Sequence, residues 1–436
     1  MMKLRGLILV LRGPVLVVVA VALATLIPHE KARIILSGNY AAVVCPGALN
    51  GGSQHISLPS QGLFARTVFG TNQTLQLQKS LVLAGKTNPI LISGNSGSEL
   101  AFQSITVGST ADAVCQVGGS DQWFIGGSGG VTGQGVLEII NSGLSDSAVQ
   151  IFPYDSKGSL TPLSVNIRAN SAQRVSLATI VPGDESVALH LVTESGRVTS
   201  FLLDHRKNGL KEEGSSFVTP GEAPSTRSYI GGLLGSSAKT TSVMRFLVPG
   251  NLSATVHLSV FLNGGVFTPV GFDSLTIGHQ RVVDVALPQL ALSAPFGIEV
   301  SSDQPIFAAT LSKKSVGGVD FAWANQLEPL STFRVNLAGA SAQFFFMGKS
   351  IVLRAEWSDA QGKSNAATIT GASSVLFHPT GSLNAITFTP LGTGVIYGGA
   401  IVTNIDGGLN YLPLLANHLI SAAELPVSDV RTLARH

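Results

Sequence analysis

The residues with types suited to chemistry are a serine set among glycines, two cysteines, three Gly-Lys turns and nine histidines. Gly126-Gly127-Ser128-Gly129-Gly130 matches the G-x-S-x-G string of a serine hydrolase elbow. That elbow needs a strand before the serine and a helix after it, so that the hydroxyl stands clear of the backbone. Here Val131-Thr132-Gly133-Gln134-Gly135 follows, a poor helix start. The string therefore reads as a Gly-rich loop. Gly85-Lys86-Thr87, Gly348-Lys349-Ser350 and Gly362-Lys363-Ser364 each carry the end of a phosphate-binding loop. The glycine required five positions earlier is replaced by Ser80, Gln343 and Trp357, so all three read as surface turns. The histidines form no H-x-H or H-E-x-x-H pair, and no dense Asp array could hold calcium. No catalytic residue, cofactor or metal ligand is assigned, and the expectation is a protein that is not an enzyme.

Aromatic residues could bind by contact. Trp123, Tyr229 and Trp323 recur along the chain, and rings of this kind can stack on sugars. At a fixed place in a repeat, the simpler role is packing one unit onto its neighbour. Phe344-Phe345-Phe346 is the candidate contact surface. In a strand successive side chains alternate, so Phe345 points away from the other two. One face of this run can enter a core, and the other must meet a second layer, a partner or lipid.

These residues have to be held by β structure. Charged residues are 12% of the 436, Gly numbers 49, and Ser, Thr and Val are abundant. That balance favours strands over helices. The formal net charge is +2, from 27 basic and 25 acidic residues, with no basic block. Nucleic acid is therefore not an expected partner. Lys3, Arg5 and Arg12 precede the apolar stretch Val15 to Ile27, which Pro28 ends. Counted from Gly6 it can span a bilayer if Arg12 snorkels. The expected location is the cell membrane, single-pass, with the remainder outside the cytoplasm. Cleavage near Ala22-Leu23-Ala24 and secretion is the alternative. Either route exports the chain, and an even cysteine pair in an exported chain points to a Cys45–Cys115 disulfide.

A repeat organises the rest. Gln173-Arg174-Val175 recurs as Gln280-Arg281-Val282, 107 residues on, and Gly143 meets Gly250 at the same offset. An aromatic and a Gly pair open both copies, Phe124 to Gly127 and Tyr229 to Gly232. Turn signals return about every 10 residues, which suits sandwiches of short antiparallel strands. The expected fold is all-β: tandem immunoglobulin-like β-sandwich repeats behind an N-terminal membrane anchor helix. The expected parts are a signal anchor or signal peptide over 1–32, a distinct disulfide-bearing β domain over 33–121, and repeats over 122–227, 228–320 and, in divergent form, 321–436. A β-propeller is the rival, but this period is too long for one blade of about 40 to 50 residues. Leu415 to Glu424 reads as a strand.

Cys45-Pro46-Gly47, the second cysteine just before Trp123 to Gly127, and Tyr397-Gly398-Gly399 ahead of Gly407-Gly408 together resemble a family of actinobacterial secreted or membrane-anchored proteins of unknown function. The resemblance implies an envelope location and supplies no catalytic residue. The leading functional expectation is a non-catalytic cell-envelope scaffold or binding module. Its expected partners are an envelope protein or cell-wall polymer, and the membrane through the N-terminal segment. The alternative is a glycan-processing enzyme or glycan-binding module with its site at a domain junction.

Overall fold

The computed structural model describes residues 39–420, except 41, 50–51, 58–62, 68–73, 78–79, 84–87, 94–100, 107–108, 222, 236–239, 289–291, 293, 316–318, 405–407 and 416–418. The expected anchor, Val15 to Ile27, lies outside the described residues, as does most of the expected strand from Leu415 to Glu424.

Strand β1 (Asn39–Tyr40) precedes four consecutive groups. Unit I holds β2 (Ala42–Cys45), β3 (Ser53–Ser57), β4 (Leu63–Thr67), β5 (Thr74–Leu77), β6 (Ser80–Leu83), β7 (Ile90–Ser93), β8 (Ala101–Thr106) and β9 (Ser109–Val114). Unit II holds β10 (Asp121–Ile125), β11 (Val136–Asn141), β12 (Ser147–Tyr154), β13 (Leu163–Ile167), β14 (Ser171–Ser176), the short helix α1 (Leu177–Ile180), β15 (Ala188–Ser195), β16 (Thr199–Asn208) and β17 (Lys211–Val218). Unit III holds β18 (Ser225–Leu233), β19 (Thr240–Leu247), β20 (Ala254–Leu262), β21 (Gly265–Phe267), β22 (Leu275–Ile277), β23 (Val282–Ala286), β24 (Phe296–Lys314) and β25 (Asp320–Asn325). Unit IV holds β26 (Phe333–Gly348), β27 (Ile351–Asp359), β28 (Ser364–Gly371), β29 (Ser374–Phe377), β30 (Leu383–Pro390), β31 (Ile396–Thr403) and β32 (Leu409–Pro413). Strand β33 (Leu419–Ile420) then pairs in parallel with β1.

One strand order occurs four times. In unit II it is β10-β15-β12-β13 in one sheet and β14-β11-β16-β17 in the other. Unit I repeats it as β2-β7-β4-β5 and β6-β3-β8-β9. In unit III, β24 is long enough to serve both sheets, pairing with β18 and β20 through its first half and with β19 and β25 through its second. In unit IV, β26 does the same, pairing with β30 through Phe333 to Ala340 and with β31 through Ser341 to Gly348. The expectation of a separate kind of N-terminal domain is thus corrected: unit I is a copy. Its strands diverge in sequence because most of the shared pattern is apolar alternation, which many residue sets satisfy. The immunoglobulin order is also corrected. There the first strand pairs with the second in sequence, whereas here it pairs with the sixth.

The units close into a ring. The last strand of each packs on those of both neighbours: β9 on β17, β17 on β25, β25 on β32, and β32 back on β9. Side chains tie these strands together across the junctions. Asp112 N donates to Asn410 Oδ1 at 2.9 Å, Trp323 N to Ser216 Oγ at 3.0 Å, and Leu409 N to Asp320 Oδ2 at 2.7 Å. Close approach of β17 to β25 demands a glycine. Gly214 sits at φ +111, and a Cβ there would lie 3.0 Å from Asp320 Cα.

Each core continues into a neighbour. Ile140, Phe201, Leu203 and Phe217 of unit II join the core of unit I, and Phe307, Leu311, Phe321 and Trp323 of unit III join that of unit II. Phe345, Met347, Ile401 and Tyr411 of unit IV join the core of unit III, and Val114 of unit I joins that of unit IV. The second sheet of each unit is therefore covered on both faces, one by its own unit and one by the unit before it. This explains why most of β16 is buried without alternation, while β12 alternates strictly.

The register corrects the repeat in detail. Strands β11 and β19 correspond at the offset of 107, and Gly143 and Gly250 occupy the same turn after them. Strands β12 and β20 still begin at that offset, and beyond them the copies slip. Glu138 faces Arg174 across β11 and β14, and Arg245 faces Asp284 across β19 and β23. The counterpart of Arg174 is therefore Asp284, and Arg281 stands just before β23 instead of within it. The shared Gln-Arg-Val letters do not mark equivalent positions.

Candidate functional site

The seams between units gather the polar and aromatic side chains that a binding or catalytic site would use. At the seam of units II and III, Arg245 is 3% exposed and is surrounded by acceptors. Its Nη1 donates to Gly127 O at 2.7 Å, and its Nη2 to Glu185 O at 2.9 Å. Nε and Nη2 hold Asp284 in a fork at 2.8 Å each. The guanidinium lies over the Trp323 ring, 4.8 Å from its centre. Trp323 Nε1 donates to Asp204 Oδ2 at 2.8 Å, and Asp204 also accepts from Arg206, whose guanidinium covers Phe321. These groups floor an open cleft of about 460 Å³, with Glu185, Glu213 and Lys313 on its walls. Its two arginines and their carboxylates are joined to each other, so the strongest charges there act as a clamp between units.

The seam of units I and II has the mirror arrangement. Glu138 is fully buried and accepts from Gly47 N of unit I at 2.8 Å and from Arg174 Nε at 2.9 Å. Burial pushes its carboxyl up from the usual range, and Arg174 and the Gly47 N–H offset part of that rise. In both seams one buried charge on the second strand of a unit reaches the loop after the first strand of the unit before it.

Ser128 lies inside this framework. It is buried, its hydroxyl donates to Glu185 Oε2 at 2.7 Å, and Gly130 N donates back to it at 3.1 Å. The flanking glycines are fixed by packing. A Cβ on Gly129 would meet Val181 O at 1.9 Å, and Gly127 holds φ +88. The residues after Ser128 form a turn and a bridge, so the hydroxyl ties a loop. Of the three Gly-Lys turns, the first lies outside the described residues. Gly348-Lys349-Ser350 and Gly362-Lys363-Ser364 form the tight turns after β26 and β27. Among the described residues, no three of His, Cys, Asp and Glu converge as a metal site would require.

Cys45 and Cys115 are joined, with Cα atoms 4.4 Å apart, across a 70-residue separation. The bond ties β2 to the linker that leaves β9. The linker also pairs with β2 through Val44 and Gln116, N to O at 2.7 and 2.9 Å. Equivalent bonds recur without a disulfide: Gly221 N donates to Trp123 O at 2.7 Å, and Leu327 N to Tyr229 O at 2.8 Å. This contact makes Trp123 the counterpart of Tyr229, one residue away from the sequence match.

The proposed contact surface is corrected. Phe344, Phe345 and Phe346 are all 0% exposed. Phe344 and Phe346 fill the core of unit IV, and Phe345 enters that of unit III. The alternation expected of a strand holds, and the second layer is the preceding unit. Trp123 and Tyr229 have the same kind of role. Trp123 packs on Phe307 with ring centres 4.6 Å apart, and Tyr229 stacks on Tyr397 at 4.1 Å, each pair bridging two units. The other side of Trp123 is covered by His190 at 3.6 Å, so no open ring face is left for a sugar. Trp323, expected near a repeat start, stands instead on the last strand of unit III.

A family model matches residues 104–375, from β8 of unit I into β29 of unit IV. The chain belongs to DUF5719, a family of unknown function. No curated protein matches this DUF5719 chain. Among solved structures it is similar to one described as a tetra-tandem repeat in the extending region of a large adhesion protein. That match has 12% identity over 88% of this chain and 99% of the other, with a TM-score of 0.12. A likeness so slight transfers nothing to DUF5719.

Proposed function

We propose that the chain is a non-catalytic scaffold or binding protein of the cell envelope, held at the membrane by Val15 to Ile27 and facing out of the cytoplasm. The observation that carries this reading is the closed ring of four sandwiches whose cores run into one another. Such a ring is a rigid support with many loops, and closure packs the last strand of every unit against those of its neighbours. Side chains that could have served catalysis are committed to packing: Ser128 ties its loop, and the arginines of the cleft between units II and III are bound to their own carboxylates. The partner on this reading is an envelope protein or a cell-wall polymer, with no role for nucleic acid. The finer resemblance, to actinobacterial exported proteins, belongs to the same proposal.

A glycan-processing enzyme or glycan-binding module is the second reading, favoured by the cleft at the seam of units II and III. One experiment separates the two. Full-length protein in detergent is sedimented with isolated envelope polymer, and the supernatant is assayed for released fragments. Saturable co-sedimentation without release supports the binding reading. Release that survives contaminant controls would establish an enzyme, and absence of both would remove the polymer as partner. Cell fractionation checks the location: a soluble chain starting near Thr25 would sink the anchor.

A further inference from the structure

The cleft at the seam of units II and III keeps hydrogen-bonding capacity that the clamp beneath it leaves unused. Its sheet face comes from unit III. Thr241 faces Lys313 and Val243 faces Leu311 across β19 and β24, while Lys313 faces Phe321 and Leu311 faces Trp323 across β24 and β25. Leu311 and Trp323 turn toward the core of unit II. Lys313, two residues on from Leu311, therefore projects from the same face at the rim. Arg206 of unit II comes down on Phe321, 5.1 Å from the ring centre.

Arg206 supplies one free group. Its side chain is only 7% exposed, and Nε and Nη2 are both spent on Asp204. Those two nitrogens share one edge of the guanidinium, so Nη1 points away from Asp204. Nη1 meets no acceptor among the described residues, and it is open at the cleft instead of sealed. Buried cations seldom leave a donor unpaired, and one that opens into a cleft is completed from outside the chain.

Lys313 and Glu213 supply the others. Neither makes an ion pair among the described residues. They nevertheless sense each other. Partial burial and the Arg206 guanidinium hold the Lys313 ammonium below its ordinary value, and Asp204, Glu185 and Glu213 offset part of that. Donor and acceptor thus stand close enough to interact and too far apart to touch. A hydroxyl fills such a gap, because one oxygen accepts from the ammonium and donates to the carboxylate. The balance of charge points the same way. Arg206, Arg245 and Lys313 line the cleft against Glu185, Glu213 and Asp284, so an anion or a cation is opposed by as many charges as attract it. Val243 and Leu311 add apolar surface, and the volume of about 460 Å³ lies within the usual range of ligand pockets, about 300–1,000 Å³.

The geometry points to this cleft as a binding site for a neutral saccharide, whose hydroxyls accept from Arg206 Nη1 and Lys313 Nζ and donate to Glu213 while a C–H face of the ring lies on Val243 and Leu311. This deepens the glycan-binding reading above and rests on it.

The test titrates full-length protein in detergent with cellobiose, maltose and chitobiose, and with glucuronate, glycylglycine and cyclohexanol as controls, by ligand-observed NMR and calorimetry. At least one neutral disaccharide is expected to bind saturably, with all three controls at least tenfold weaker. Lys313→Met and, separately, Glu213→Gln remove one partner at the rim and leave the Arg245–Asp284 and Arg206–Asp204 pairs in place. Each should weaken the disaccharide about tenfold at an unchanged melting temperature, since a hydrogen bond to a charged group is lost. Lys313→Arg keeps a donor there and should retain most of the affinity. No saturable disaccharide binding, equal binding of glucuronate, glycylglycine or cyclohexanol, or unchanged affinity in both Lys313→Met and Glu213→Gln would overturn the proposal. Envelope-polymer sedimentation by Lys313→Met is run in parallel. If it matches the wild type while no disaccharide binds, this site fails and the broader binding reading stands.

Discussion

Glu138 and Arg245 occupy the same place on the second strand of adjacent units and carry opposite charges, and both are buried. Each is paired across the sheet with its opposite, Arg174 or Asp284, and each grips the loop of the preceding unit. The grip is inverted along with the charge. Glu138 accepts from the N–H of Gly47, and Arg245 donates to the carbonyl of Gly127. In unit IV the corresponding strand pair is Phe345 facing Leu376. Three solutions thus serve one seam position, two ionic and one apolar. The seam needs a filled, partnered contact, and the sign of the charge is free.

Arg245→Met should therefore be costly. It strands the carbonyl oxygens of Gly127 and Glu185 and leaves the Asp284 carboxylate without its fork, and breaking a buried pair in this way costs about 3–5 kcal/mol. Arg245→Met with Asp284→Leu imitates the apolar pair of unit IV and should recover part of the loss. Chemical denaturation of the singles and the double measures the coupling. A single variant within about 0.5 kcal/mol of wild type would show that the clamp contributes little.

Phe345→Ser should unfold the protein more readily while leaving surface contacts untouched. The ring is fully buried in the core of unit III, and loss of a large aromatic from such a place costs about 3–5 kcal/mol. Because the residue sits on unit IV, the cost should appear as a loss of cooperation between units III and IV, visible as a broadened or split thermal transition. A sharp transition at the wild-type temperature would contradict the seam role.

The all-β class, the disulfide and the turn at Gly143 and Gly250 were legible because each follows from local composition, cysteine parity or glycine in a turn. The unlike N-terminal region misled because unit I keeps the strand order without keeping letters. What survives there is apolar alternation, as at Ile90 and Ile92 of β7, which any half-buried strand shows. The three-residue slip between Arg174 and Asp284 was hidden by a coincidental Gln-Arg-Val match. Ring closure was illegible because it depends on second faces. The one local signal for it was Phe344-Phe345-Phe346, a strand apolar on both sides, and the sequence did not say what covered Phe345.

Reducing the Cys45–Cys115 bond should weaken the closing unit. In the chain-entropy model a loop of 70 residues corresponds to about 4 kcal/mol, and the measured loss should fall at or below that. Units II and III hold the equivalent strand-to-linker contact with backbone bonds alone, so reduction should destabilise unit I without abolishing the ring. Cys45→Ala/Cys115→Ala followed by hydrogen exchange checks this. Uniform loss of protection over all four units would mean that the ring opens as a whole.

Acidification should destabilise unit II. His190 stacks on Trp123 near Phe152 and meets Asp121 at 3.0 Å. His205 is buried with Nδ1 unpartnered, its Nε2 lying 3.3 Å from Glu212, with Lys207 and Asp204 close by. Burial holds both imidazoles below their ordinary value, and Asp121 and Glu212 recover only part of that shift. A depressed histidine favours the folded state when neutral. Its contribution is complete above the unfolded value near 6.5 and is lost as pH falls from there through the folded value. Each histidine can contribute a slope of at most about 1.4 kcal/mol per pH unit. Glu138 works the other way: its raised carboxyl makes folding easier once it is protonated, so it opposes the histidines toward the acid end. The melting temperature should fall between about pH 6.5 and 5. His190→Gln/His205→Gln should lower the melting temperature at pH 7.5, through lost stacking, while flattening its dependence on pH. If the double variant keeps the wild-type slope, unit II does not titrate through these histidines.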